Sequence, residues 1–164
     1  MILVKIDSIP GDFDTKELKK HIACTSCSWD IEREPKEAGK AGTTDINLGI
    51  AELPPLEFSK LMDKASVFLM QNAIAGHSLG TVEVKFLTTA GTKSEAKVYL
   101  EYKLDTAVVS SWSMSGTEDD RPEETFKLWY KKVWMQYWTT EDGKTYTKAG
   151  SKGWDRTKQV EWSI

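Results

Sequence analysis

At 164 residues the chain has room for one domain with a sizeable core and not for several. Hydrophobic residues make up 40% and charged residues 29%, and the net charge is −3. That balance excludes duplex nucleic acid as the main partner, because such binding needs a basic face. No run approaches the roughly 18 apolar residues of a membrane helix.

Residues 1–7 (MILVKID) form a short apolar strand pattern interrupted by charges. They lack the basic start, long apolar core and cleavage site of a signal peptide, so the chain is expected to begin in the cytoplasm and, if exported, to leave by another route. The strand pattern over 2–9 stops at Pro10-Gly11, a turn signal. Residues 12–20 are polar and read as a loop or short helical turn. Residues 24–33 (CTSCSWDIER) read as a second strand around Trp29 and Ile31. Residues 34–44 (EPKEAGKAGTT) are polar, with one Pro and two Gly, and form the candidate long loop. Ile46, Leu48 and Ile50 alternate in a third strand over 45–51.

Residues 56–62 read as a strand through Leu56, Phe58 and Met62, with Lys60 as the break in its alternation. An apolar helix is predicted over 66–75, with Ser66 as N-cap and Gly76 at the position of a C-terminal glycine. Beyond it the pattern is nearly all β. Val82, Val84 and Phe86 mark a strand over 81–89, residues 90–92 a turn, and Val98, Leu100 and Tyr102 a strand over 96–104. After a short turn a further strand covers 107–115. Residues 116–122 (GTEDDRP) are an acidic corner feeding an aromatic strand. Three of the chain's seven tryptophans, Trp129, Trp134 and Trp138, lie in that aromatic run. In it Phe126, Leu128 and Tyr130 alternate, and Val133, Met135 and Tyr137 alternate one step out of phase. A slip of one residue turns later side chains to the other face, which predicts a bulge or break at Lys131-Lys132. Residues 141–144 are a turn, and 145–164 a polar tail. About eight strands and one short helix predict a mainly β protein: a β-barrel of two packed antiparallel sheets with one flanking helix.

Chemistry-bearing residues are few. Cys24 and Cys27 form a CxxC, but in a strand positions three apart face opposite ways, which argues for two ordinary thiols rather than a metal or redox pair. His21 and His77 lie in separate polar contexts. Glu118, Asp119 and Asp120 offer oxygens for a cation, yet acids in a turn are usually solvated or paired with a nearby cation such as Arg121. Ser110, Ser111 and Ser113 have no local base, and there is no phosphate-binding glycine loop. No catalytic residue, metal or cofactor is expected. The aromatic excess of 129–138 is better divided between a core and a subunit interface than assigned to stacking on bases or sugars.

Several segments in order resemble the Hcp tube proteins of the bacterial type VI secretion system. They are MILVKIDSIPG at 1–11, SCSW at 26–29, DKAS at 63–66 leading into the apolar helix and Gly76, TVEV at 81–84, GTEDDRPEE at 116–124, and GWD at 153–155. The resemblance runs from residue 1 to about 155. It implies a β-barrel subunit that assembles into six-membered rings, stacked into a tube driven from the cell by a contractile sheath. A VgrG-type spike would cap the tube, and effectors would travel in its lumen. In the family the second loop reaches neighbouring subunits and is rich in Gly and Ser, whereas here 34–44 is charged. The two cysteines and the residues past Asp155 are also departures. Glu34, Lys36, Glu37 and Lys40 of the loop, Asp119, Asp120 and Arg121 of the corner, and Trp129 are therefore the candidate interface residues. A small-molecule or peptide-binding β-barrel is the alternative, and an effector chaperone is compatible with the first reading.

Overall fold

The computed structural model describes residues 1–15, 17–33, 35–36, 47–48, 51–89, 96–143 and 145–164. Twelve strands and one helix lie among them. In order they are β1 (Ile2–Ile6), β2 (Ile22–Cys24), β3 (Ser26–Ser28), β4 (Pro35–Lys36), β5 (Asn47–Leu48), β6 (Leu56–Leu61), α1 (Ser66–Ala75), β7 (Gly80–Thr89), β8 (Ala96–Ser115), β9 (Glu123–Trp129), β10 (Lys132–Thr139), β11 (Thr147–Asp155) and β12 (Val160–Glu161). All pairings are antiparallel, and β4 and β5 form a separate two-stranded sheet. The prediction of two packed antiparallel sheets with one helix holds, although strand pairing does not close the barrel.

One face of the fold is the ladder β12-β11-β10-β8-β7-β1-β2, and the other is β3-β6-β9-β8. They share β8. The residues expected to form two strands with a turn between them are one strand of 20 residues. Its first half pairs with β7 and β10, and its second half with β9. The bend comes where Gly80 opposes Ala107 but Val82 opposes Leu104, a register shift that accommodates Thr106 at φ 52°. A bulge of this kind turns a strand without ending its pairing.

The second predicted strand divides as well. β2 belongs to the first sheet and β3 to the second, and Trp29 and Ile31 follow the strand rather than lie in it. Between them Thr25 donates from both its N–H and its hydroxyl to the Ser59 carbonyl, at 2.8 and 3.0 Å. This corner resets the alternation. Cys24 is buried, and Cys27, three residues on, also packs against the core instead of facing away.

Val4, Ile6, Ile22, Leu56, Phe58, Val82, Val84, Leu104, Phe126 and Leu128 are among the side chains filling the space between the sheets. Phe58 and Phe126 sit directly opposite each other and stack at 5.1 Å. Each such side chain contributes roughly 1.5–3 kcal/mol on full burial. The outer face of the first sheet is polar. Lys5 opposes Glu83 and Glu83 opposes Lys103, whose ammonium lies 5.8 Å from the centre of the Trp134 ring. The phase slip in the aromatic run is a strand break: β9 ends at Trp129, Tyr130 fills the core, and β10 starts at Lys132. The C-terminal residues add β11 and β12 to the edge of the first sheet. Gly153 is required there, because a Cβ would lie 2.5 Å from the Trp162 carbonyl oxygen and 2.7 Å from that of Val133.

Lys60 does not break the alternation of β6. It continues the inward series Leu56, Phe58, Lys60 and is fully buried. Glu124 lies directly opposite on β9, also fully buried, and the two form an ion pair. The Lys60 ammonium also reaches Asp63 at 2.8 Å, and the Ser66 hydroxyl donates to Glu124 Oε1 at 2.8 Å. The Trp112 indole donates to Glu124 Oε2 at 2.8 Å. Ser66 is therefore not the helix cap. Ala65 occupies that position, and the Ser66 side chain is committed to the buried cluster.

Two outcomes follow for stability. Glu124→Ala removes the buried carboxylate that Lys60, Ser66 and Trp112 share, leaving the ammonium with Asp63 as its one counter-charge, and should cost about 3–5 kcal/mol in urea unfolding, whereas Lys60→Met with Glu124→Leu should recover most of it. An Ala variant within 1 kcal/mol of wild type (about a fivefold change in the folding equilibrium) would contradict this account. His21 is buried, its Nδ1 is 3.0 Å from the Lys19 carbonyl oxygen, and its Nε2 has no hydrogen-bond partner among the described residues. Burial holds its pKa below the ordinary 6.5, against the raising effect of the Lys19 carbonyl. Of the charges around it, Lys85 and Lys5 lower it further and Glu83 raises it. The unfolded chain then takes up the proton first, so stability is full above about 6.5 and falls as the pH drops below it. Urea midpoints between pH 7.5 and 5.5 should decline in wild type and flatten in His21→Gln, and parallel curves would remove His21 as the cause.

Candidate assembly surfaces

Helix α1 contains no charged residue. Its sequence, SVFLMQNAIA, ends at Gly76, which takes φ 68° and donates its N–H to the Asn72 carbonyl at 2.8 Å. The helix lies against β8 and buries Leu69, with Ala73 partly covered. Val67 (58% exposed), Phe68 (41%), Met70 (36%) and Ile74 (80%) point away from the core. A helix with one face in solvent normally carries polar residues on that side. Here that side is apolar, the pattern of a helix buried on both faces.

The acidic corner joins β8 to β9, as predicted. It is fixed at its end by the Met62 N–H, which donates to the Pro122 carbonyl at 2.9 Å. Asp119, Asp120 and Arg121 are exposed. Asp120 and Arg121, with Leu61, Ser115, Thr117 and Glu123, line a cleft of about 440 Å³. The base of the corner is the Lys60–Glu124 pair, since Glu124 follows Glu123 at the start of β9. Among the described residues Arg121 has no ion pair within the chain, so its guanidinium is available to another molecule.

Trp129 is half-buried at the far end of β9. The Arg156 guanidinium lies 4.8 Å from its ring centre and 5.4 Å from that of Tyr130, and its Nη1 donates to the Tyr130 carbonyl at 3.1 Å. These groups flank a cleft of about 600 Å³ whose other wall is the 51–55 segment. The Tyr130 hydroxyl and the Trp29 indole both donate to the Pro54 carbonyl, at 3.1 and 3.2 Å. Burial pushes the Tyr130 phenol up to about 12. From this side the chain leads into β4 and β5, with the Glu52 N–H donating to the Glu32 carbonyl at 2.8 Å. The backbone of Lys36 lies in β4, while Glu34, Glu37 and Lys40 lie outside the described residues. The six intervals of β9 separate the corner from Trp129 by about 20 Å. The described candidates thus occupy two surfaces, not one site.

The remaining chemistry-bearing residues do not assemble. Burial pushes the Cys27 thiol up to about 11 and the Cys24 thiol higher still, away from the thiolate that metal binding or nucleophilic attack needs. Among the described residues no group of three or more His, Cys, Asp or Glu is placed to hold a metal ion. Among the described residues no helix is long and apolar enough to cross a membrane. Reading the sequence residue by residue missed three features: Lys60, Arg156 and the outer face of α1. For the last the signal was present, since ten helical residues without a charge, with Gln71 as the one exposed polar side chain among them, offer little polar surface.

The profile of the family described as "Type VI secretion system effector, Hcp" matches residues 3–137. A solved structure described as a type six secretion system protein is 31% identical, with 98% of each chain covered and a TM-score of 0.87. Hcp1 from Salmonella typhimurium is similar at 21% identity, over 98% of this chain and 97% of that one, with a TM-score of 0.70. The tube-terminating cap of the anti-feeding prophage shares the fold at 18% identity, over 83% and 87% of the two chains, with a TM-score of 0.55. A search of curated proteins gives no significant match. Profile and structure agree along nearly the whole chain, from β1 through β10: the chain belongs to the Hcp family of type VI secretion.

Proposed function

We propose that this protein is a structural subunit of the type VI inner tube, and that it assembles with copies of itself into six-membered rings that stack. The observation that carries this reading is the apolar outer face of α1. Val67, Phe68, Met70 and Ile74 would cost solubility in a monomer and favour burial against a neighbour. A ring uses a heterologous interface, in which one patch meets a different patch on the next copy, and closure leaves no subunit with an open face. The helix supplies one such patch. The corner and the Trp129 end of β9, about 20 Å apart, are separate enough to serve ring and stacking contacts respectively. β4 and β5 follow from the Trp129 side of the chain, and stacking is assigned to that side. Within this role the protein acts by shape and has no catalytic step. It is exported with a VgrG-type spike at its tip, pushed by a contractile sheath, with effectors in its lumen.

The purified protein should form closed rings by native mass spectrometry and negative-stain imaging, and a strictly monomeric species at high concentration would overturn the reading. Phe68→Glu with Ile74→Glu should convert rings to monomers while leaving the circular dichroism spectrum and urea midpoint within about 0.5 kcal/mol, as expected for exposed positions. Rings that survive the double change would remove α1 from the interface. Arg121→Ala should weaken ring or tube formation without lowering the melting temperature. If assembly is unaltered, the corner has no part in it.

A further inference from the structure

Strand pairing fails at one place that the tube reading does not use. β8 and β10 pair from Asp105 opposite Lys132 to Leu100 opposite Tyr137, and there the ladder ends. β8 continues along β7 as far as Ala96 opposite Thr89, and β10 continues along β11 as far as Thr139 opposite Thr147. The sheet therefore forks. Each arm carries a register shift at the fork. On one, Phe86 and Leu87 oppose Leu100 and Val98, so Tyr99 is the extra residue. On the other, Tyr137 and Trp138 oppose Gly150 and Lys148, so Ala149 is the extra residue. Bulges increase local twist and redirect side chains. Tyr137, Trp138 and Thr139, at the end of β10, line a cleft beside the fork.

The cleft is open and has a volume of about 520 Å³. Four aromatic residues, Tyr99, Tyr137, Trp138 and Tyr146, line it together with Leu87 and three threonines. The Tyr99 and Tyr137 rings meet edge to face at 6.3 Å, and Tyr137 is 45% exposed. None of the described lining residues carries a charge. Flat apolar faces interleaved with neutral hydroxyls complement a pyranose, which offers C–H bonds on its faces and hydroxyls around its edge. The diverging backbones of β8 and β10 add peptide N–H and C=O groups released from the ladder. An apolar partner surface would bury the tyrosine and threonine hydroxyls without partners, at a cost for each. A peptide added as a strand would find two residues of β10, Trp138 and Thr139, and four of β8, Ala96–Tyr99, beyond the fork, short of the usual five or six on either arm.

We propose that the fork between β8 and β10 binds a neutral oligosaccharide, through stacking on Tyr137 and Trp138 and hydrogen bonds to the surrounding hydroxyls. Isothermal titration of the full chain with chitohexaose and with cellohexaose, followed in parallel by tryptophan fluorescence, tests this. At least one oligosaccharide should bind saturably. Trp138→Ala and, separately, Tyr137→Ser should each weaken that binding by about tenfold, the size of one lost stacking contact. Circular dichroism reports folding, and Tyr137→Ser keeps the test valid if Trp138→Ala does not fold. The absence of saturable binding to both sugars overturns the proposal, as does binding that both folded variants retain. If neither sugar binds and Tyr137→Ser changes the oligomeric state, the fork is a subunit contact and the proposal fails. Ring formation is scored in the same samples by native mass spectrometry, so this inference and the tube reading succeed or fail separately.

Discussion

The buried pair of Lys60 and Glu124 is the constraint around which one end of the molecule is built. Neither charge can be left alone in the core, so every element that contributes a partner is held in place. β6 brings the ammonium and β9 the carboxylate, directly opposite each other. Asp63 and Ser66 fix the turn into α1, and Trp112 fixes the second half of β8. Four features of the chain, β6, the turn into α1, β8 and β9, thus meet at one cluster. The acidic corner needs no interactions of its own to keep its shape, because its base at Glu124 and its end at Pro122 are both anchored. This frees Asp119, Asp120 and Arg121 to face outward.

The second organising feature is β8. A strand that serves both sheets makes the two layers one covalent and hydrogen-bonded unit, and the bulge at Thr106 supplies the bend. The corner at Thr25 does the same between β2 and β3. A sandwich sewn at two such corners is stiff where it bends. The surfaces proposed for assembly are what this frame displays: the apolar helix, the corner and the Trp129 cleft.

Much of this was legible in the sequence where a local rule acts alone. The helix appears over the predicted residues because an apolar run meets a glycine able to adopt positive φ. β6, the corner and the break near Lys131 followed from period-two alternation and its slip. The failures share a cause. Lys60 looked like an interruption because alternation was scored by hydrophobicity, whereas its partner Glu124 stands 64 residues away, in phase with Phe126 and Leu128. Thr106 and Thr25 hide bends because neither is a glycine or proline. The Cys24–Cys27 spacing misled for the same reason, since period two does not survive a corner. The 34–44 segment apart from residues 35–36, the 90–92 turn and three of the eight interface candidates fall outside the described residues.

The two thiols carry a consequence for a chain of a secretion family. A protein that passes from a reducing compartment to an oxidising one risks cross-linking through any reactive cysteine. With its pKa pushed up to about 11, only about one Cys27 in ten thousand is thiolate at neutral pH, and Cys24 is less ionised still. The corner that turns both sulfurs inward therefore also makes them weak nucleophiles. In the tube role proposed above, cysteines of this kind would meet oxidants outside the cell without readily cross-linking one subunit to the next.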